Sequence, residues 1–177
     1  LGLLGAQGYA RADIYKPDMK SSYVTFTGKH AGEEFTGIFQ EWTADIVFDA
    51  ADLKASRVKV VFDMESATTD NKMYDGTLPQ KDWFNVKAYK EATFESTSFE
   101  DKGDGLYTVT GDLTIRDVTK PVSFDFKLSD LNRSDVIMDA SVVIDRLAYG
   151  IGLKSDPDME WVDKDILITI HLSTTIQ

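Results

Sequence analysis

Residues 105–116, GLYTVTGDLTIR, decide the fold: Tyr107, Val109, Gly111, Leu113 and Ile115 fall at every second position, with Thr108, Thr110, Asp112 and Thr114 between them. A period of two is that of a strand with one buried and one wet face, since a helix repeats its apolar residues at three and four. Working outward, the pattern returns downstream in Val122, Phe124, Phe126 and Leu128, then in Val136, Met138, Ala140, Val142 and Ile144, and finally in Ile166, Ile168, Ile170 and Leu172. The last set is opposed by Leu167, Thr169, His171 and Ser173, which puts His171 on the surface. Upstream, residues 93–100 alternate, as do Val58, Val60, Phe62 and Met64, and Val24 with Phe26. Turn-forming residues at 101–105 (DKGDG), 129–134 and 155–158 separate the runs.

One run changes phase. Phe35, Gly37 and Phe39 are followed by Trp42, Ala44, Ile46 and Phe48, a slip of one residue at Gln40 and Glu41. A β-bulge produces such a slip and bends the strand so that a sheet can curl. The expected fold is all-β, with about eight antiparallel strands in a meander that closes as a barrel or sandwich. Several runs reach about 9 to 12 residues, which at roughly 3.3 Å per residue makes the sheet about 30 to 40 Å tall. A barrel of that strand number is either filled by its own side chains or holds one slender ligand. The stretch without alternation, residues 69–90 (TDNKMYDGTLPQKDWFNVKAYK), is expected to form one or two short helices over an opening, with its apolar residues plugging the core or lining an entrance.

Composition narrows the function. The chain has 177 residues, enough for one domain, and 30 Asp and Glu against 19 Lys and Arg give a net charge of −11. A field of that sign repels nucleic acid, which is excluded as a partner. There is no cysteine, so disulfides, thiolate metal sites and cysteine nucleophiles are absent together. With His30 and His171 the only histidines, no transition-metal site is expected. Residues 156–160 (DPDME) offer oxygen ligands for calcium but lack the EF-hand spacing, and read as a solvated turn. Residues 132–134 fit a glycosylation sequon. No nucleophile elbow, zincin helix, P-loop or dinucleotide fingerprint occurs, and Gly150 and Gly152 lack a third partner glycine; the chain is read as non-catalytic. No run is long and apolar enough for a transmembrane helix. Residues 1–12, LGLLGAQGYARA, resemble the end of a secretory signal with a small-x-small site, or a linker from a longer polypeptide; the expected division is leader or linker over 1–21 and barrel over 22–177.

Several motifs together resemble a known family. The opening pair SYVTFTGKHAGEEFTGIF, the third-strand segment VVFDMESATTD, the loop and strand DWFNVKAYKEATFEST, the stretch YTVTGDLTIRDVTKPVSF and the late DRLAYGIG are similar to the YceI-like domains, lipocalin-like exported bacterial proteins. The most specific match lies at 109–115 and 118–122. The sequence departs where many members carry a basic Arg-Asp-x-His-Leu segment; here residues 73–78 read MYDGTL. The resemblance implies an elongated, eight-stranded lipocalin-like barrel that takes up a long isoprenoid, a polyprenyl chain or quinone tail, without catalysis or a required cofactor. It implies a periplasmic or secreted location. Given an internal site, the expected apolar contacts are Phe26, Phe39, Trp42, Phe48, Phe62, Met73, Leu78, Trp83, Phe84 and Phe94, with Lys29, His30, Tyr74 and Asp75 as polar groups at the rim. The alternative is a packed barrel serving as an interaction module of a larger exported protein; a homodimer and covalently attached partner domains both remain open.

Overall fold

The structure, a computed structural model, describes residues 12–130 and 135–177. Its strands are β1 (Asp13–Pro17), β2 (Tyr23–His30), β3 (Glu33–Phe39), β4 (Trp42–Phe48), β5 (Arg57–Asp63), β6 (Ala67–Thr68), β7 (Glu91–Gly103), β8 (Leu106–Ile115), β9 (Val118–Ser129), β10 (Asp135–Asp145) and β11 (Asp165–Ile176). A six-residue helix, α1 (Lys72–Thr77), lies between β6 and β7. All strand pairings are antiparallel, and β1 pairs with both β4 and β11, which closes the sheet. The eleven segments make eight staves, because β1 and β2, β3 and β4, and β5 and β6 are each one long strand with a break. Thus β11 pairs with β2 over Tyr23 to Thr27 and with β1 over Tyr15 to Pro17. The expected closed antiparallel meander of eight strands is what the chain forms.

The three breaks sit side by side. At Gln40 and Glu41 the phase slip read from the sequence is larger than a bulge: the strand ends at Phe39 and restarts at Trp42. Ser66, in the break of the neighbouring stave, bridges the gap by accepting from the Glu41 amide at 3.0 Å and donating to the Asp63 carbonyl at 2.7 Å. Phe39 and Trp42 therefore both face inward. A bulge does occur in β7, where the register moves between Ser96 and Ser98 and carries the inward phase from Phe94 to Phe99. Between β9 and β10 the ladder is short, covering only Ile137↔Ser129 to Ala140↔Phe126. Beyond it β9 stays on β8 and β10 stays on β11, which leaves a slot in the wall toward Val122 and Val142.

The expected division at residue 22 needs correction, because Asp13–Pro17 is a barrel strand rather than leader. DIYKP is too short for alternation to show, and its strand character comes from cross-strand partners such as Tyr15↔Ile46 and Tyr15↔Ile176. Residues 1–11 and the sequon at 132–134 lie outside the described residues. The expected cover over one end forms from α1 and the turns that follow it. Asn71 caps α1 by accepting from the Met73 and Tyr74 amides, and Pro79, one residue beyond Leu78, stops it. This end also carries the 146–163 loop and is called the cap end below.

Candidate functional site

A cavity of about 230 Å³ occupies the barrel interior. Its wall runs from Tyr15, Phe48, Leu128 and Val136 near one end, past Trp42, Phe94 and Leu172, to Phe84, Ile151 and Val162 under the cap. Apolar side chains make almost all of it. Three buried clusters supply the wall: Phe48, Val109 and Phe126 at the far end, Val24, Trp42 and Leu172 in the middle, and Phe84, Ile144 and Ile151 at the cap end.

Glycines shape this bore. Phe26 faces Gly37 across the β2–β3 pair, and a Cβ on Gly37 would overlap the Phe26 ring, whose atoms are its three nearest neighbours. A Cβ on Gly111 would lie 2.5 Å from Phe94 Cζ, and one on Gly28 would lie 2.9 Å from Phe35 Cζ. Each ring lies against a strand backbone that presents no side chain, so it hugs the wall instead of crossing the interior.

Nine of the ten apolar residues named from the sequence are on the cavity wall: Phe26, Phe39, Trp42, Phe48, Phe62, Leu78, Trp83, Phe84 and Phe94. Met73 is not; it is 62 % exposed on the outer side of α1. In a segment without alternation nothing in the sequence tells inward from outward, and the helix turns Leu78 in and Met73 out. Of the rim residues, His30 and Tyr74 do meet, with the Tyr74 hydroxyl 3.2 Å from His30 Nδ1. Tyr74 also packs on Phe35, and His30 stacks on Trp161. Lys29 departs from expectation: it is exposed and lies out of phase with Val24, Phe26 and Gly28, so its side chain points outward. Asp75 is occupied locally, accepting from Thr68 Oγ1, Thr69 Oγ1 and the Thr69 amide, each at 2.7 Å. Burial works against its ionisation, but those hydrogen bonds win and hold its carboxyl below the usual range.

Sequence reasoning missed the charged centre of the cap. Arg146, only 2 % exposed, lines the cavity and sits over the Trp83 ring at 5.5 Å. Its guanidinium donates to the carbonyls of Ile151, Val162 and Asp163 and to Asp156 Oδ2 at 2.8 Å. Asp156, 4 % exposed, also accepts from the Trp161 and Val162 amides at 3.1 and 2.8 Å. The segment 156–160 is thus no solvated turn at its first residue: Asp156 is the buried counter-ion that folds the loop around Arg146. Burial pushes the Arg146 guanidinium below its ordinary range, and the charge of Asp156 opposes that shift. The one available signal was the Asp-Arg pair opening DRLAYGIG, a charge at the end of an apolar strand. No cluster of three metal-ligating side chains exists among the described residues. No helix among them is long and apolar enough to cross a membrane.

Asp82 fastens the two halves of the cap. It accepts from the Lys154 amide at 3.1 Å, the Ser155 amide at 2.7 Å and Ser155 Oγ at 2.6 Å. Burial raises its carboxyl, but these bonds and the charge of Arg116 outweigh it and the net shift is downward. A depressed carboxylate stabilises the fold fully above its unfolded value, about 3.9, and loses that contribution as pH falls through the lower folded value. The cap attachment is therefore expected to hold from neutral pH to about pH 4 and to loosen below. Amide protection of Lys154 and Ser155, corrected for intrinsic exchange, checks this; in Asp82→Asn it should be weaker at neutral pH and lose its acid transition.

Against known proteins, the model of the YceI-like domain family matches residues 15–174. A UPF0312 protein of Ectopseudomonas mendocina is 36% identical over 121 residues, covering 68% of this chain and 63% of that protein. A UPF0312 protein of Vibrio parahaemolyticus is 36% identical over 119 residues, covering 66% of this chain and 63% of that one. The matched stretch thus spans less than two thirds of those relatives' length. Among solved structures, Burkholderia cenocepacia BcnA superposes with a TM-score of 0.85 at 28% identity, covering 90% of this chain and 100% of that chain. A polyisoprenoid binding domain from Saccharophagus degradans superposes with a TM-score of 0.69 at 14% identity over 92% of this chain and 98% of that one, a likeness of fold alone.

Proposed function

The chain belongs to the YceI-like domain family, and from that membership together with its internal cavity we propose that it binds a long isoprenoid lipid, a polyprenyl chain or the tail of an isoprenoid quinone, for transport, storage or sequestration. The observation that carries the reading is the continuous apolar lining from Leu128 to Phe84. A neighbour of the same fold described as a polyisoprenoid binding domain supports it. The work is solubilisation by burial. Each CH₂ taken from water is worth roughly 0.8 kcal/mol, and ordering a flexible chain returns part of that gain. The reading requires no catalytic residue and no cofactor, and family membership supports a periplasmic or secreted location. Length selectivity is loose, because a narrow bore rewards slenderness more than length.

Trp42 and Trp83 on the cavity wall give the test its readout. Organic extraction and mass spectrometry of the purified protein should find an isoprenoid, and added ubiquinone should quench tryptophan emission saturably. A protein that yields no isoprenoid and shows no saturable quenching overturns the reading.

A further inference from the structure

The cap has two faces. Its inner face gives Leu78, Trp83, Ile151 and Val162 to the cavity wall. Its outer face leaves large apolar side chains in water: Met73 at 62 %, Trp161 at 53 %, Leu153 and Met159. They belong to two neighbouring segments that the structure ties together. His30 contacts Tyr74, next to Met73, on one side and stacks on Trp161 on the other, while Asp82 holds the Lys154 and Ser155 amides beside Leu153. Core packing does not explain this grouping, since each of the four leaves between 41 % and 62 % of its surface in water.

Charge says what fits there. The chain as a whole carries −11, yet residues 72–90 and 150–164 together hold six lysines and six carboxylates. Three of those carboxylates are engaged inside the cap, Asp75 by Thr68 and Thr69, Asp82 by Ser155, and Asp156 by Arg146. Lys72 and Lys154 flank Met73 and Leu153 directly in sequence, and Asp158 and Glu160 flank Met159 and Trp161 in the same way. A patch bearing tryptophan and methionine, edged by lysines and carboxylates in equal number, matches the apolar and zwitterionic layers of a bilayer interface, whereas the acidic remainder of the barrel does not.

We propose that the outer face of the cap docks on the surface of a zwitterionic bilayer, setting the cap end of the cavity against the membrane. This inference rests on the isoprenoid reading above. Docking is weak and reversible, as few side chains insert, and it is driven by apolar burial rather than by charge. Raising salt should therefore leave it intact.

Flotation with phosphatidylcholine vesicles tests it, using the full chain and the variants Trp161→Ser and Met73→Ser, both at exposed positions outside the cavity wall. The expected result is co-flotation of the unaltered protein that persists in 0.5 M salt, and a fall of about tenfold or more in vesicle affinity for the double variant. No flotation, flotation that salt abolishes, or flotation that the double variant retains would each overturn the proposal. Saturable quenching by a short-chain ubiquinone in vesicle-free solution separates the two readings. Binding without flotation defeats the docking surface alone, and absence of binding defeats the isoprenoid reading.

Discussion

An Arg146→Met protein is expected to lose about 3 to 5 kcal/mol of folding stability, the range for removing one partner of a buried ion pair. The side chain is volume-compatible and apolar, so the loss comes from what is left behind. Asp156 is left buried without a counter-ion, with only the Trp161 and Val162 amides as donors, and the carbonyls of Ile151, Val162 and Asp163 lose theirs. Against a typical total of about 5 to 15 kcal/mol the effect is large, a fall in melting temperature on the order of 10 °C for a domain of this size. Chemical denaturation measures it. Arg146→Lys should recover little, because an ammonium cannot reproduce the planar fork that reaches four partners. Arg146→Met with Asp156→Leu should recover only part of the loss: the stranded carboxylate is gone, but the Trp161 and Val162 amides lose their acceptor and the three carbonyls still lack donors. If the single variant stays within about 1 kcal/mol of the parent, the pair does not hold the cap.

The second large effect falls on binding rather than stability. Gly37→Ala places a methyl group where the Phe26 ring lies, and that ring must leave the wall for the interior. Loss of space for one isoprene unit removes five carbons' worth of burial, so affinity for an isoprenoid should fall by roughly 10- to 1,000-fold once the smaller ordering cost is counted. The fold should tolerate the change at a cost of about 1 to 3 kcal/mol, because the obstructing atoms are a side chain with room to move. Adding Phe26→Leu should restore binding, and the coupling between the two substitutions, read by quinone titration, identifies the ring as the cause. Unchanged affinity in Gly37→Ala would show that this part of the bore takes no part in binding.

How much of this was readable depends on where periodicity reaches. Inside the strands it was decisive: the inward phase of Val122, Phe124 and Phe126, and the slip from Phe39 to Trp42, are where the alternation puts them. It failed for β1, whose five residues are too few to show a period, and for the β7 bulge, where Thr97 adds one residue among polar neighbours that carry no phase. In the cap, Met73 and Leu78 looked equivalent, as only the turn of α1 separates them. Lys29 was assigned by proximity to His30, although the same period of two sends adjacent residues to opposite faces. Arg146 and Asp156 were unreadable as a pair, since nine residues outside any strand lie between them and their contact exists only once Trp161 and Val162 have folded over the barrel end.

The slot between β9 and β10 separates two quantities that usually travel together, how firmly a protein is folded and how long it keeps what it holds. Over most of the wall a passage would require a strand pair to part, at a cost tied to the barrel's own cohesion. Beyond Ala140↔Phe126 no ladder bonds remain to be broken, and the barrier is made of side chains such as Val122 and Val142. For a molecule leaving there, residence time answers to the bulk of those two valines, and reinforcing the barrel elsewhere leaves it unchanged.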